Sequence, residues 1–430
     1  MTQPLKIALA GLGVVGAGTL SVLNANADML RTRCGRPLVV TAVAARDRTK
    51  SRGVAMDGLK WFDDAARMAC EAEADVVVEA IGGAEGIARA VAESTLDAGR
   101  HLVTANKALI AHHGTALAHK AEAHGVSLAF EASVAGGIPV IKALREGLAG
   151  NNVRKIAGIL NGTCNYILTT MRTTERDFSD VLGEAQKMGY AEADPSFDVD
   201  GIDTAHKLAI LASIAFGSEV NFRAVHVEGI RHVAPVDIQL ASQLGYRIKL
   251  LGIATMVDGA VEQRVHPCLM PANSPLGSVE GVFNGVSIDG DAVGTVMLEG
   301  RGAGAGPTAS AIVADLVDIA RGCTVPAFGL PAAHLIKRPT RPMDQHTGSY
   351  YVRLMVVDRP GVFADVAAVL RDHQVSMESV LQRSRAPGDG VPLVLTTHDT
   401  READMRHALE MIGSLDSVVE APRVIRVEPA

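Results

Sequence analysis

Five carboxylates lie within twelve residues of one segment, from Glu192 to Asp203, and a lysine, Lys207, follows. Asp203 and Lys207 are spaced i and i+4 on a predicted helix, so they share one face. Because residues 202–216 are otherwise mostly apolar, we expect the pair beside a cleft, where carboxylates could hold a substrate ammonium and the lysine could relay a proton. A surface ion pair is the plainer alternative. A calcium loop is another, although the EF-hand spacing is not met.

A second lysine, Lys107, follows the predicted strand Leu102–Thr104. Ligands of open α/β sheets bind just beyond the carboxyl ends of the strands, which is where this lysine is expected. A lysine at the start of a helix, with no role in chemistry, is the alternative.

A glycine loop, Gly11-Leu-Gly13-Val-Val-Gly16, separates a predicted strand from a predicted helix. Gly11 permits a tight turn, Gly13 lets the backbone approach a pyrophosphate, and Gly16 lets helix and strand pack closely. The N–H groups that open the helix would face the phosphates. This context favours a dinucleotide-binding loop over a turn that serves packing only.

The charges after the second strand bear on which dinucleotide binds. Arg46-Asp47-Arg48 follows Ala45, and Lys50 lies close by. Arg46 could pair with a 2′-phosphate through two hydrogen bonds, which favours NADP, whereas Asp47 leaves NAD usable. A solvated charge cluster is the alternative.

The candidate site residues need a scaffold of strands and helices to position them, and residues 1–135 alternate short apolar runs with helical segments. Short apolar runs suit parallel strands that are buried on both faces. Helices are predicted over 14–30 and 87–98. The sequence thus predicts a doubly wound Rossmann sheet. Its strands are predicted at 5–10, 38–45, 76–80, 102–104 and 126–131.

Residues 136–320 predict a second, α+β domain, and 321–346 a return to the first domain followed by a linker at 338–347. In the second domain we predict strands at 156–160, 248–256 and 261–267, and helices at 178–188, 202–216 and within 303–319. Residues 347–430 have the βαββαβ order of a ferredoxin-like unit. Its strands are predicted at 350–357, 375–383, 391–397 and 418–427, its helices at 363–373 and 401–412, and a turn at Gly388-Asp-Gly390.

Composition limits the partners. The 430 residues are 48% hydrophobic, 21% charged and 3% aromatic, with a net charge of −7. A disordered chain is excluded, and neither nucleic acid nor an anionic membrane is an expected partner. Five scattered cysteines, with no signal peptide or membrane span in the sequence, fit a cytoplasmic protein. The histidines form no metal-ligand spacing, so no catalytic metal is expected.

Residues 1–320 resemble homoserine dehydrogenases, and 347–430 resemble an ACT domain. The motifs that carry the first resemblance are GLGVVG at 11–16, TANKALIA at 104–111, FEASVAGGIPVI at 130–141, GILNGTCNYILTTM at 158–171, GYAEADPSFDVDGIDTAHKLAILA at 189–212 and GRGAGAGPTASA at 300–311. The ACT motif is the turn Asp358-Arg-Pro-Gly-Val362. The resemblance implies reversible interconversion of L-homoserine and L-aspartate 4-semialdehyde with NADP or NAD, on the route to threonine, methionine and isoleucine.

The resemblance also implies roles for residues of this sequence. Lys207 corresponds to the proton-transfer lysine, Asp203 orients it or contacts the substrate, and Lys107 lies near both ligands and could share the proton relay. Glu192 and Asp198 would bind substrate. Cofactor contacts are implied for Gly11, Gly13, Val14, Val15, Gly16, Arg46, Lys50, Thr104, Lys107, Gly304 and Gly306, and a monovalent cation (Na⁺) site for Glu131, Val134, Gly136 and Ile138.

An ACT domain implies an amino-acid effector, with threonine favoured, and a homodimer or homotetramer is expected. An ACT domain kept for association alone is the alternative.

Two other classes of function for the whole protein stay open at this point. One is a non-catalytic regulator with the same folds. The other is a different semialdehyde dehydrogenase that uses Cys164 as its nucleophile, although a buried core cysteine is the favoured interpretation.

Overall fold

Apolar runs near the start of the chain form a six-stranded parallel sheet. The computed structural model describes residues 3–382 and 390–429. The strands are β1 (Leu5–Ala10), β2 (Leu38–Ala44), β3 (Lys60–Phe62), β4 (Val76–Glu79), β5 (His101–Thr104) and β6 (Leu128–Ala129). Their order is β3-β2-β1-β4-β5-β6, which confirms the doubly wound prediction. The order reverses between β1 and β4, so the crevice for a ligand lies beyond the carboxyl ends of these two strands.

The helices of this unit differ in part from the prediction. They are α1 (Val14–Ala25), α2 (Ala27–Cys34), α3 (Ala65–Glu71), α4 (Ile87–Asp97) and α5 (Lys107–Ala123). The single helix predicted over 14–30 is wrong, because the backbone leaves helical geometry at Asn26. The strand predicted over 126–131 is shorter, because Glu131–Ser133 turns into a 3₁₀ helix.

The second unit is built on a mixed sheet with helices against it. Its strands are β7 (Val153–Ile159), β8 (His226–Val227), β9 (Tyr246–Val257), β10 (Ala260–Pro271), β11 (Phe283–Gly290) and β12 (Gly294–Arg301). Its helices are α6 (Val140–Lys142), α7 (Gly162–Thr174), α8 (Phe178–Lys187), α9 (Ser196–Val199), α10 (Ile202–Phe216), α11 (Pro235–Gln243) and α12 (Pro275–Ser278). The helix predicted over 202–216 is confirmed, and nearly all of its residues are buried.

Two stretches between this unit and the next differ from expectation. Helix α13 (Ala305–Arg321), which we predicted within the second domain, packs against α1, and its buried side chains join the core of the parallel sheet. The predicted linker 338–347 is not a free connection. Val261 N–H donates to Pro339 O at 2.9 Å and Arg341 N–H donates to Val261 O at 2.9 Å, so the stretch runs along the edge of β10.

The C-terminal unit has the predicted βαββαβ order. Its elements are β13 (Thr347–Val357), α14 (Val362–Asp372), β14 (Met377–Leu381), β15 (Gly390–Thr397), β16 (Thr400–Arg401), α15 (Glu402–Gly413) and β17 (Arg423–Val427). The sheet order β17-β13-β15-β14 is antiparallel throughout. The final strand starts at Arg423 rather than at 418. Residues 383–389, which include part of the predicted 375–383 strand and of the Gly388–Gly390 turn, lie outside the described residues.

The second and C-terminal sheets are continuous. Strand β17 pairs in parallel with β10, with Cys268 opposite Arg426, so that the two sheets share one hydrogen-bonded ladder. Just after β17, the buried carboxylate of Glu428 accepts from Arg264 of β10 at 2.5 Å and from Lys155 of β7 at 3.0 Å. Within the described ranges, no helix is both long and apolar enough to cross a bilayer.

We expect Glu428→Gln to lower stability, because the buried Arg264 loses one of its two carboxylate partners and keeps only Glu262. Removing one partner of a buried pair costs about 3–5 kcal/mol, which is the upper bound here because Glu262 remains. Urea midpoints followed by circular dichroism measure this, with Glu410→Gln, an exposed helix site, as the control. Burial opposes ionisation, yet Arg264 and Lys155 hold the pKa of Glu428 at about 2, below its ordinary 4.5. The stabilisation is therefore present above pH 4.5 and is lost as the pH falls toward 2, so the difference between wild type and variant must shrink in acid. An equal difference at pH 7 and pH 3 would contradict the assignment.

Candidate active site

One buried carboxylate binds two lysines. Asp203, in the first turn of α10, lies between Lys207 one turn further along that helix and Lys107 at the first position of α5. Lys207 Nζ donates to Asp203 Oδ2 at 2.7 Å, and Lys107 Nζ lies 2.9 Å from Asp203 Oδ1. Lys207 also donates to Leu160 O at 2.7 Å. The structure therefore brings together the three residues predicted as catalytic.

Burial and charge give the two lysines different proton affinities. Burial would raise the pKa of Asp203, but the two ammonium groups outweigh it and hold that pKa well below its ordinary value. Burial lowers the pKa of Lys207, which the nearby Asp203 only partly offsets. Lys107 has a third of its side chain exposed; burial opposes its charge, but the carboxylates around it prevail and raise its pKa. Lys207 is thus the lysine that more readily loses its proton.

Asn161, which the sequence analysis did not single out, organises the carboxylates. Its side-chain amide donates to Asp203 Oδ2 and to Asp198 Oδ1, both at 2.8 Å. Its carbonyl oxygen caps α7 by accepting from Cys164 N–H at 2.8 Å. Burial and the charge of Asp203 raise the pKa of Asp198. An asparagine between a strand and a helix indicates a helix cap. It does not indicate that the side-chain amide also contacts Asp198 and Asp203.

The predicted substrate residues lie at different depths. Asp198 is half-buried beside Asp203, whereas Glu192 is exposed on the loop before α9. Glu192 reaches the cluster through its charge, which contributes to the raised pKa of Lys107. The ammonium of Lys107 lies 5.3 Å from the ring centre of Phe197, at cation–π distance. The cluster therefore opens toward solvent on the side of Lys107 and Glu192.

Cys164 has the surroundings of a core cysteine rather than those of a nucleophile. Its thiol is fully buried and lies 3.3 Å from Asp198 O, to which it donates. Burial raises the pKa of this thiol well above its ordinary value, and neighbouring carboxylates add to the effect. These surroundings disfavour the thiolate that acyl chemistry needs, which argues against a cysteine-dependent semialdehyde dehydrogenase.

The glycine loop has the shape of a phosphate cradle. Gly11 has φ +97°, and a Cβ there would lie 2.6 Å from Ala80 O. A Cβ at Gly16 would lie 1.9 Å from Gly11 O, whereas Gly13 faces open space. Gly13 precedes α1, and no side chain caps that end of the helix. The N–H groups there, at Val14 and Val15, suit an anion.

A second uncapped helix start lies nearby. Gly304 has φ +115° and precedes α13, which packs against α1 so closely that a Cβ on Gly18 would lie 2.9 Å from Ala305 O. Gly306 faces open space. Thr104 is fully buried at the end of β5 and donates to Glu79 Oε2 at 2.5 Å. These positions all border the carboxyl edge of the parallel sheet.

The loop after β2 is folded around Asp47. Its carboxylate accepts from Thr49 N–H at 2.8 Å, from the Thr49 hydroxyl at 2.7 Å and from Lys50 N–H at 3.2 Å. Arg46 and Lys50 are exposed. Arg52, which was not predicted, donates to Leu12 O of the glycine loop at 3.1 Å. A cavity of about 370 Å³ lies beside this loop, lined by residues that include Arg48, Lys50, Arg52 and Trp61.

The segment from Glu131 to Ile138 is buried and sharply folded. The carboxylate of Glu131 accepts from Ile141 N–H and from Lys142 N–H, both at 2.9 Å, and Gly136 has φ +42°. Burial, with the neighbouring Asp315, raises the pKa of Glu131 to about 7. Val134 and Ile138 are buried in the same segment. The predicted cation residues are therefore contiguous in space.

Comparison with known proteins identifies the family of each part. The sequence profile "Homoserine dehydrogenase" matches residues 139–317, "Homoserine dehydrogenase, NAD binding domain" matches 11–131, and "ACT domain" matches 350–416. The homoserine dehydrogenase of Pseudomonas aeruginosa is 45% identical over 99% of both chains, and that of Corynebacterium glutamicum is 41% identical over 98% of this chain and 95% of the other.

Solved structures agree over the same length. The crystal structure of a homoserine dehydrogenase from Thiobacillus denitrificans superposes with a TM-score of 0.94 at 44% identity, covering 99% of this chain and 98% of the other. A hyperthermophilic archaeal homoserine dehydrogenase in complex with NADPH superposes with a TM-score of 0.63 at 25% identity, covering 73% of this chain and 97% of the other. The chain therefore belongs to the homoserine dehydrogenase family of nicotinamide-dependent oxidoreductases that act on a CH–OH group, and it carries a C-terminal ACT domain.

Proposed function

We propose that this enzyme interconverts L-homoserine and L-aspartate 4-semialdehyde at the Asp203 cluster, on the route to threonine, methionine and isoleucine. The observation that carries the proposal is the buried carboxylate of Asp203 between two lysines of opposite pKa shift. Asp203 and Lys207 lie in the stretch that matches the homoserine dehydrogenase profile, 139–317, and Lys107 lies in the stretch that matches its NAD-binding profile, 11–131. A non-catalytic regulator would have no need for two lysines held on one buried carboxylate at an opening to solvent, so the geometry favours the enzyme.

Lys207 is assigned as the proton acceptor for the homoserine hydroxyl. A bound nicotinamide would supply the acceptor for hydride from the same carbon. Asp203 and Leu160 O hold the amine of Lys207 in place, and its lowered pKa makes the neutral form accessible. Lys107 stays protonated, keeps Asp203 ionised and contacts the substrate at the open side of the cluster. In the reverse direction Lys207 acts as the acid.

The substrate ammonium is assigned to Glu192 and Asp198. Glu192 is exposed at the opening of the cluster, and Asp198 is held beside Asp203 by Asn161. Two carboxylates on this side and the ammonium of Lys107 near them complement an amino acid, which carries both charges. Positioning of the hydroxyl against Lys207 then supplies much of the rate enhancement.

We expect Lys207→Ala to lower kcat for homoserine oxidation about 10²–10⁴-fold, the usual contribution of a general base, with the KM for NADP within about twofold of wild type. Because the neutral amine is the active form, the wild-type rate should rise with pH through a pKa below 10.5, and the variant should lose that rise.

Lys249→Met is the matched control, since Lys249 is also a buried lysine, bound to Asn165 and Val279 O. Its kcat should stay near that of wild type. Initial rates are followed through the absorbance of reduced nicotinamide. If Lys107→Ala loses the pH dependence while Lys207→Ala keeps it, the roles of the two lysines are exchanged.

We propose NADP as the preferred cofactor, with NAD usable. Asp47 binds its own loop through Oδ1, whereas Arg46 and Lys50 make no such turn with their side chains and are exposed near the basic cavity. A cationic surface suits a 2′-phosphate. The archaeal relative in complex with NADPH is consistent with this choice.

Arg46→Ser should raise the KM for NADP about tenfold and leave the KM for NAD within about twofold, as expected for the loss of a hydrogen-bonded charge pair. Arg31→Ser, at an exposed arginine of α2, is the control and should change neither constant. Steady-state kinetics with each cofactor measure both. Equal changes for NADP and NAD would place Arg46 away from the 2′-phosphate.

Regulation by threonine is proposed for the ACT domain. In the turn 358–362, Gly361 has φ +97° and immediately precedes α14, and no side chain caps this helix start. ACT domains bind amino-acid effectors, and threonine is a product of the proposed route. Rates of the full-length enzyme against threonine concentration should fall, while methionine and isoleucine serve as comparisons. Unchanged rates with all three would leave the domain an associative role only.

A monovalent cation and a symmetric oligomer complete the proposal. Na⁺ would bind mainly backbone carbonyl oxygens of Glu131, Val134, Gly136 and Ile138, where two buried carboxyl groups, those of Glu131 and Asp315, favour positive charge. Activity after replacement of Na⁺ by tetramethylammonium tests the site.

A homodimer or homotetramer is proposed, and light scattering of the full-length protein distinguishes them.

A further inference from the structure

Two ion pairs with buried arginines join the C-terminal unit to the second unit; the carboxylate of one, Asp237, is buried, and that of the other, Glu228, is 42% exposed. Arg353 of β13 donates through Nε to Asp237 Oδ1, in α11, at 2.6 Å. Arg426 of β17 donates through its two terminal nitrogens to the two carboxylate oxygens of Glu228, just after β8, at 2.9 and 3.0 Å. Each arginine side chain is 6% exposed, so the two pairs are matched in burial on the C-terminal side. The two pairs differ in the further contacts that their residues make.

Arg426 is anchored within its own unit before it reaches Glu228. Its Nε donates to Glu402 Oε2 of α15 at 2.9 Å, and a terminal nitrogen donates to Glu402 Oε1 at 2.5 Å. The side chain therefore bridges a helix of the C-terminal unit and a carboxylate of the second unit. A guanidinium that makes two bidentate pairs fixes both partners in orientation as well as in distance.

The segment that carries Glu228 is fastened to α9. Ile230 N–H donates to Val199 O at 2.8 Å. Gly229, which lies between Glu228 and Ile230 in the sequence, packs so closely against α9 that a Cβ there would lie 2.3 Å from Val199 O. Arg231 pairs with Asp200 and donates to Ser196 Oγ at 2.9 Å. Any shift of this segment must therefore move α9.

From α9 the contacts continue to the active site. Asp198 of α9 and Asp203 of α10 accept from the two hydrogens of one amide group, that of Asn161. Gly201, which precedes α10, is packed against the other side of the same segment, since its Cβ would lie 3.1 Å from the side chain of Val227. The start of α10 is thus held between Asn161 and the segment that carries Glu228.

We propose that Glu228, held by Arg426, is a positioning residue for the active site, through which the C-terminal unit sets the placement of α9 and of the start of α10. The inference rests on the proposed roles of Asp203 and Lys207. Asp237 supplies the contrast: its described partners are Arg353 and Tyr351, both in β13, and none of the contacts described for it reaches α9.

The test compares Glu228→Gln, Arg426→Met and the double variant with Asp237→Asn in the full-length protein. We expect Glu228→Gln and Arg426→Met each to lower kcat/KM for homoserine about tenfold and to leave the KM for NADP within about twofold. The double variant should be no worse than either single one, because the two residues act as one unit. Asp237→Asn should lower the thermal midpoint at least as much as Glu228→Gln does, and it should keep kcat/KM near that of wild type.

Arg426→Lys keeps the charge without the bidentate geometry and should give an intermediate kcat/KM; it also serves if Arg426→Met does not fold. The proposal is overturned if Glu228→Gln has wild-type kinetics, or if kcat/KM falls equally in Asp237→Asn. Lys207→Ala is assayed alongside. Full activity of Lys207→Ala would mark a failure of the site assignment, which is distinct from wild-type kinetics in Glu228→Gln alone.

Discussion

The arrangement of the whole site depends on burying one carboxylate, that of Asp203, among positive charges. An isolated buried carboxylate is too costly to remain ionised, so its neighbours must be in place before the site can exist. Those neighbours come from separate parts of the chain: Lys107 from the helix after a parallel strand, Asn161 from the end of a strand in the second unit, and Lys207 from the same helix. The parallel sheet and the mixed sheet meet at this carboxylate, and their relative placement is what makes the charge cluster possible.

Local patterns predicted much of this scaffold. The helix over 202–216 was predicted with its observed bounds, since long apolar helices bounded by glycines leave little ambiguity. The i, i+4 spacing placed Asp203 and Lys207 on one face. A helix start at Lys107 was one alternative, but no bounds were predicted for α5, because alanines, histidines and a glycine blur its apolar periodicity. Strand β12 was missed because none of its residues is buried.

Contacts between distant segments were beyond such patterns. Asn161 looks like an ordinary helix cap, and only the fold brings its amide to two carboxylates. Asp47 has the position expected of a ribose ligand, but its Oδ1 accepts hydrogen bonds from the turn that follows it. The polar stretch 338–347 resembles a linker by composition, yet its backbone bonds to β10. In each case a residue type permits several partners, and tertiary structure selects one.

The pairing of β17 with β10 has a consequence for how the protein is made. Arg264 and Glu428 are 164 positions apart, so the edge of the second sheet is incomplete until synthesis has passed the last of these residues. Until then a nascent chain carries an open strand edge at β10 and an arginine that lacks one of its two carboxylate partners, and the open edge favours association with other chains. Closing a contact over such a separation is also slow. An ACT unit whose last strand pairs with β10 thus completes the second sheet only after almost the whole chain has been synthesised.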